Sequence, residues 1–153
     1  MRRAPGFCVN PVSGEPTLLW TEEKTLDICA HHWRHFASRY KGIPNRRLSF
    51  NLLNEPYGTT EGQYVKVVRR LTQEIREVDP NRLIIADALD GKPVRGLKVM
   101  KIVQSTRGYT PGDWMRDCLS LWKEVGWGWA LWCMPTSRTL SIRTVLVLFR
   151  TRL

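Results

Sequence analysis

An α/β fold built on a parallel sheet is what this sequence predicts, on three observations. Short apolar runs alternate with longer segments whose apolar residues recur at spacings of three and four. One run, Arg82-Leu83-Ile84-Ile85-Ala86-Asp87, is almost wholly apolar, the pattern of a strand covered on both faces. The chemically distinctive residues stand just past the C-terminal ends of the runs, where a barrel of alternating strands and helices places its site. Together these predict a partial (β/α)8 TIM barrel. About four good strands are legible in 153 residues, whereas a complete barrel has eight strands and typically ~250 residues.

Each element has a local cause. Residues 21–41 read as a helix, with Thr21 as N-cap and Glu22 and Glu23 at the positive end of the dipole. Leu26, Cys29, Ala30, Trp33, Phe36, Ala37 and Tyr40 share one face, and Gly42 and Pro44 stop the helix. Leu48 to Leu53 reads as a strand that ends in Asn54-Glu55-Pro56. Thr60 and Gln63 form a capping-box pattern that opens a second helix. Its buried face carries Tyr64, Val67, Val68, Leu71, Ile75 and Val78, and Pro80 ends it. After the strand at Arg82–Asp87, Val99 to Ser105 reads as another strand, Trp114 to Glu124 as a third helix and Gly128 to Trp132 as a final strand. Residues 1–132 form one organised unit. Residues 133–153 have no clear period, are rich in Arg, Thr and Leu and lack Gly, Asp and Glu, which fits sequence from another reading frame or a variable tail.

Composition narrows the function. Hydrophobic residues make up 42% and charged residues 25%, which is ordinary for a globular protein. The formal charge of +10 raises the question of nucleic acid. Four of those charges are Arg138, Arg143, Arg150 and Arg152, in a segment without acids, which leaves 10 less 4, or +6, over residues 1–132. No basic run is interleaved with aromatics, so nucleic acid is not an expected partner; steep salt dependence of binding would mark it. The apolar stretch Val145–Phe149 is too short to span a bilayer, and the first residues show no signal-peptide run. No membrane partner is expected, and the localisation stays open. Cys8, Cys29, Cys118 and Cys133 show no metal or redox spacing and read as free thiols. His31, His32 and His35 lack the glutamate and third ligand of a zinc motif, so no metal is expected. No phosphate-binding glycine pattern occurs, so no cofactor is expected either. Seven tryptophans are many for this length and suit flat apolar ligands such as sugar faces, although a core can also use them.

Leu52-Leu53-Asn54-Glu55-Pro56 is the strongest chemical signal. A carboxylic acid at the end of an apolar strand faces a barrel mouth, where it can protonate a departing glycosidic oxygen and later deprotonate water. An adjacent Asn can bond the sugar 2-hydroxyl. A bare Asn-Glu-Pro is a weak motif, and an ordinary turn before a helix explains it equally well.

The surroundings resemble glycoside hydrolase family 5, the cellulase type. Arg3 to Asn10 resembles the loop after the third barrel strand. Trp33 through Pro56 resembles the third helix and fourth strand, Gln104 to Pro111 the end of the sixth strand, and Trp122 to Trp132 the seventh helix and eighth strand. The resemblance runs in order over residues 2–132. It implies that Glu55 is the catalytic acid/base, with Asn54, Tyr109 and Trp132 as substrate-binding residues. Asn54 would meet the 2-hydroxyl, Tyr109 would touch the nucleophile and Trp132 would stack under the sugar.

Departures from the family pattern matter as much. The nucleophilic glutamate at the end of the seventh strand has no counterpart, because Pro111 leads directly into Gly112-Asp113-Trp114, the start of the seventh helix. The first two strands and most of the third are absent too, and Arg2 and Arg107 stand about where histidines are expected. Asp87, Asp90 and Asp113 are the acids that could substitute, and none has a nucleophile motif. The sequence therefore predicts a fragment of a retaining enzyme for β-linked glucan or its oligosaccharides, with little or no activity as written. A noncatalytic carbohydrate-binding remnant is the alternative.

Overall fold

The computed structural model describes residues 1–9, 11, 14–105 and, as paired backbone, 130–132 and 144–146. Its centre is a three-stranded parallel sheet of β3 (Phe50–Asn51), β4 (Ile84–Asp87) and β5 (Val103–Ser105), in that order. The register pairs Asn51 with Ile85, and Asp87 with Ser105. Ladder bonds from Phe50 N to Leu83 O and from Leu52 N to Ile85 O, both 3.0 Å, carry the β3–β4 pairing past the formal strand ends. A parallel α/β sheet is thus present, as the apolar runs predicted.

Two helices cover it. Helix α1 (Glu23–Arg39) precedes β3, and helix α2 (Glu61–Val78) is the crossover from β3 to β4. The two helices pack on each other. On α2 the capping box forms as read, with the Thr60 hydroxyl accepting from Gln63 N and the Gln63 side chain accepting from Thr60 N. Tyr64, Val67, Val68, Leu71 and Ile75 are all buried, and Val78 is partly so. Leu26, Cys29, Ala30, Trp33 and Ala37 of α1 meet them in the same core, with Leu52 and Leu53 from the end of β3. Burial pushes the Cys29 thiol up to about 12, so it stays protonated and apolar in character.

Several boundaries differ from the sequence reading. Helix α1 starts at Glu23 with Glu22, not Thr21, as N-cap. The Glu22 carboxylate accepts from Leu18 N (2.8 Å) and Thr25 Oγ1 (3.2 Å), so it is engaged with the entering chain as well as the first turn. Tyr40, read as part of the buried face, is exposed. Val99 and Met100, read as strand, belong to a 3-10 helix over Arg95–Met100. Leu97 and Met100 are buried three residues apart while Val99 is exposed, which is 3-10 spacing rather than strand alternation. Arg76 of α2 donates to the carbonyls of Met100 (2.7 Å) and Lys101 (2.8 Å), so a long-range partner satisfies the end of this helix.

The first residues form a hairpin, β1 (Arg3–Ala4) with β2 (Phe7–Cys8), turning at Gly6. Gly6 has φ of 68°, and a Cβ there would lie 2.5 Å from Leu19 N, so no other residue fits without a shift. Asn54 N donates to Met1 O (2.8 Å), which lays this segment beside the end of β3.

Strand β6 (Ala130–Trp132) pairs antiparallel with β7 (Thr144–Leu146), Trp132 opposite Thr144. A segment read as having no period thus supplies a strand, and the pairing departs from the all-parallel sheet of a barrel. The predicted helix Trp114–Glu124 and the expected position of the nucleophile lie outside the described residues. No described helix is long and apolar enough to cross a membrane.

At the N-terminal end of β4 stands Arg82, 4% exposed. Its five N–H groups all find acceptors: Asp79 Oδ2 twice (2.8 and 3.1 Å), Leu48 O (2.8 Å), Tyr40 O (3.1 Å) and Asn45 Oδ1 (3.4 Å). The guanidinium also lies 5.1 Å from the Phe50 ring centroid. It ties the end of α1, the entry to β3 and the end of α2 to one point. Arg82→Met is expected to lower unfolding stability by about 3 kcal/mol or more, because Asp79 and two inward carbonyls lose their donor together; urea unfolding followed by circular dichroism measures it.

Candidate active site

Glu55 is carried four residues beyond β3, in the loop that leads into α2, and is half-buried. Its φ is 47°, in the left-handed region that costs a non-glycine residue about 1–2 kcal/mol. Such strain persists where surrounding contacts hold it, and here the holding group is Asp87 at the C-terminal end of β4. Glu55 N donates to Asp87 Oδ2 (3.0 Å). Asn51 Nδ2 (2.8 Å) and Ser105 Oγ (2.5 Å) both donate to Asp87 Oδ1. Asp87 is 2% exposed, so its charge sits in the interior on three protein donors from β3, the β3–α2 loop and β5.

Tyr64 of α2 reinforces the same point by donating its phenol to Asp87 O (2.5 Å). Burial, and then the Asp87 charge, push the Tyr64 phenol far above its ordinary range, so it remains a donor. The Asp87 carboxylate is therefore an anchor. Its oxygens accept from Asn51, Glu55 and Ser105.

A cleft of about 210 Å3 opens beside these groups. Glu55, Pro56 and Tyr57 line one side, and Asp87, Asp90 and Ser105 another. Asp90 is exposed, with φ of 49°, and its N donates to Pro56 O (2.9 Å), which links the loop after β4 to the loop after β3. The cleft thus lies at the C-terminal ends of all three parallel strands, the position where open α/β sheets and barrels bind ligands.

Among the sequence-predicted site residues, Glu55 lines this cleft and Asn54 is its half-buried neighbour, bonded through its backbone to Met1. Tyr109 lies outside the described residues, and Trp132 is described only as backbone paired with Thr144. Sequence reasoning missed Asn51, Ser105 and Tyr57. A polar Asn inside the apolar run Leu48–Leu53 was the available signal for Asn51, and Ser105 has none beyond its place at a strand end. His31, His32 and His35 are exposed on α1, and among the described residues no group of three or more His, Cys, Asp or Glu side chains is placed to share a metal ion.

A parallel sheet covered by helices, with Glu55 beside a cleft at the C-terminal ends of its strands, is the arrangement of β/α folds. The family model for cellulase (glycosyl hydrolase family 5) matches residues 19–117, and the chain belongs to that family. It is similar to a crystal structure of a glycoside hydrolase, with 36% identity and a TM-score of 0.69 over 72% of this chain and 36% of that one. It is also similar to endoglucanase Cel5A from the hyperthermophilic Thermotoga maritima (24% identity, TM-score 0.50, 61% of this chain and 33% of that one). A structure of Thermotoga maritima Cel5A in complex with a mannotriose substrate matches over the same shares at 22% identity and a TM-score of 0.50. At such identities these two speak to the fold alone. A comparison with curated proteins gives no match. The chain spans about a third of the length of the solved structures it matches.

Two substitutions separate anchor from strain. Asp87→Ala is expected to cost about 3–5 kcal/mol, because it strands the Asn51 amide and the Ser105 hydroxyl in the interior. Glu55→Gly should stay within about 1 kcal/mol of the parent, because relief of the left-handed backbone offsets the extra freedom glycine gives the unfolded chain. Thermal and urea unfolding of both variants beside the parent read the two magnitudes.

Proposed function

We propose that this chain is a piece of a retaining glycoside hydrolase for β-linked glucan, with Glu55 as the general acid/base. The placement of Glu55 carries the reading: its backbone is clamped to the buried Asp87 while its residue lines the cleft at the strand ends. A proton donor there can protonate the glycosidic oxygen as the bond to the anomeric carbon breaks, and can then take a proton from water. Asn54 would hold the 2-hydroxyl, Tyr109 would touch the nucleophile, and Trp132 would stack on the sugar through its apolar face.

Retention needs a second carboxylate about 5–5.5 Å from the first. Asp87 is buried on three donors, and the sequence from Pro111 to Trp114 has no Gly-Glu motif of the seventh strand. The proposal is therefore an acid/base for which the sequence carries no recognisable nucleophile motif. The family match over residues 19–117 and the similarity to a glycoside hydrolase at 36% identity support a carbohydrate ligand.

The purified chain is expected to release no reducing ends from a soluble β-glucan and no phenol from an aryl β-glucoside, with Glu55→Gln indistinguishable from the parent. Turnover that disappears on Glu55→Gln would show that a nucleophile is present after all. Retention on insoluble cellulose without sugar release would leave the carbohydrate-binding remnant as the function.

A further inference from the structure

The three parallel strands all begin at one end of the sheet, opposite the Glu55 cleft. We propose that this end is a docking face for an anionic lipid bilayer, touched at its surface and not spanned. Residues 40–49 lead into β3, Leu83 immediately precedes β4, and the 3-10 helix with Lys101 leads into β5. The proposal does not depend on the chemistry assigned to Glu55.

Cations collect here without acids. Arg39, Lys41, Arg46 and Arg47 are all exposed, and no Asp or Glu stands between Asp27 and Glu55. Lys98 and Lys101 add exposed charge before β5, in a stretch with no acid over residues 91–112. The acids at the end of α2 are already used, Glu77 by Arg34 (2.7 Å) and Asp79 by Arg82 (2.8 Å). None of these six cations pairs with an acid among the described residues. Service to a helix dipole accounts for Arg39 and Lys41, at the C-terminus of α1. It does not account for Arg46 and Arg47, which lie well beyond that helix.

Apolar side chains collect at the same end. Among the described residues seven large hydrophobic side chains are exposed, and four of them, Tyr40, Ile43, Leu83 and Val99, stand in these loops, Val99 at 80% exposure. Aliphatic groups set among cations suit a bilayer surface, where the former enter the acyl boundary and the latter meet lipid phosphates and carboxylates. A nucleic-acid backbone would use the cations but has no place for Ile43, Leu83 and Val99. The face is also preformed. Arg82 Nη2 donates to Tyr40 O (3.1 Å), Asn45 Nδ2 donates to Asn81 O (2.7 Å), and Asn45 Oδ1 accepts from Leu83 N (2.9 Å), so the loops before β3 and β4 are tied together. Arg76 holds the carbonyls of Met100 and Lys101 beside α2. Docking therefore has little chain left to order. The expectation of no membrane partner rested on the lack of a spanning run, which surface docking does not require. Docked this way, the Glu55 cleft faces solution.

Flotation of the full chain with vesicles of phosphatidylserine and phosphatidylcholine in equal parts, beside vesicles of phosphatidylcholine alone, tests this. Binding is expected on the anionic vesicles only and should fall as salt rises. Arg46→Gln combined with Arg47→Gln should weaken it roughly 10- to 30-fold, about 5-fold for each cation. Ile43→Ser should weaken it roughly 3-fold or more through lost apolar burial. Lys24→Gln combined with Lys92→Gln removes the same charge from exposed positions at the start of α1 and beyond the C-terminal end of β4. That pair should change binding by no more than about 2-fold. Circular dichroism checks that each variant keeps the fold of the parent. An equal loss in the two charge-matched pairs would assign binding to net charge and overturn the docking face. So would equal flotation with both vesicle types, or none with either. Retention of a duplex DNA oligonucleotide without vesicle binding would overturn it in favour of nucleic acid.

Discussion

A single buried carboxylate organises the working end of this fold. Asp87 takes hydrogen bonds from Asn51, Glu55 and Ser105, groups that belong to different segments of the chain. An ion in an apolar interior is tolerated only when its lone pairs are used, so the three donors are held wherever Asp87 is. The C-terminal ends of β3, β4 and β5 are thereby tied to one carboxylate in addition to their backbone ladder and core packing. The left-handed backbone at Glu55 is a consequence, since its N–H has to reach the Asp87 carboxylate.

Strand β4 carries an opposite charge just before its other end. Arg82 gathers the end of α1, the entry to β3 and the end of α2, and spends all five donors in doing so. Between the two charges, Ile84 and Ala86 are buried in the core. The division matches the general logic of β/α architecture, in which groups at the N-terminal face hold the fold and groups at the C-terminal face build the site.

The parallel sheet, the α2 capping box and the buried face of α2 were legible in the sequence because their causes are local. Thr60 and Gln63 are three residues apart, and the apolar residues of α2 repeat with the helix. The family was legible as well, through motifs that stay in order along the chain, and the match over residues 19–117 bears it out. The 3-10 helix at Arg95–Met100 was not legible, because what ends it is Arg76, on another helix. Nor was the antiparallel pairing of Ala130–Trp132 with Thr144–Leu146, whose partner lies in a segment without a readable period.

The sequence by itself determined that a carboxylate, Glu55, would stand at the end of an apolar strand, because side-chain type and spacing along one segment suffice for that. Only the tertiary structure decided which acid would be the anchor. Asp87 and Asp90 look alike in the sequence, each polar and near a strand end, but one is sealed under Asn51 and Ser105 and the other faces solvent. The difference is set by what two neighbouring strands bring alongside, and the pairing of strands distant along the chain is a property of the folded sheet, not of any one segment.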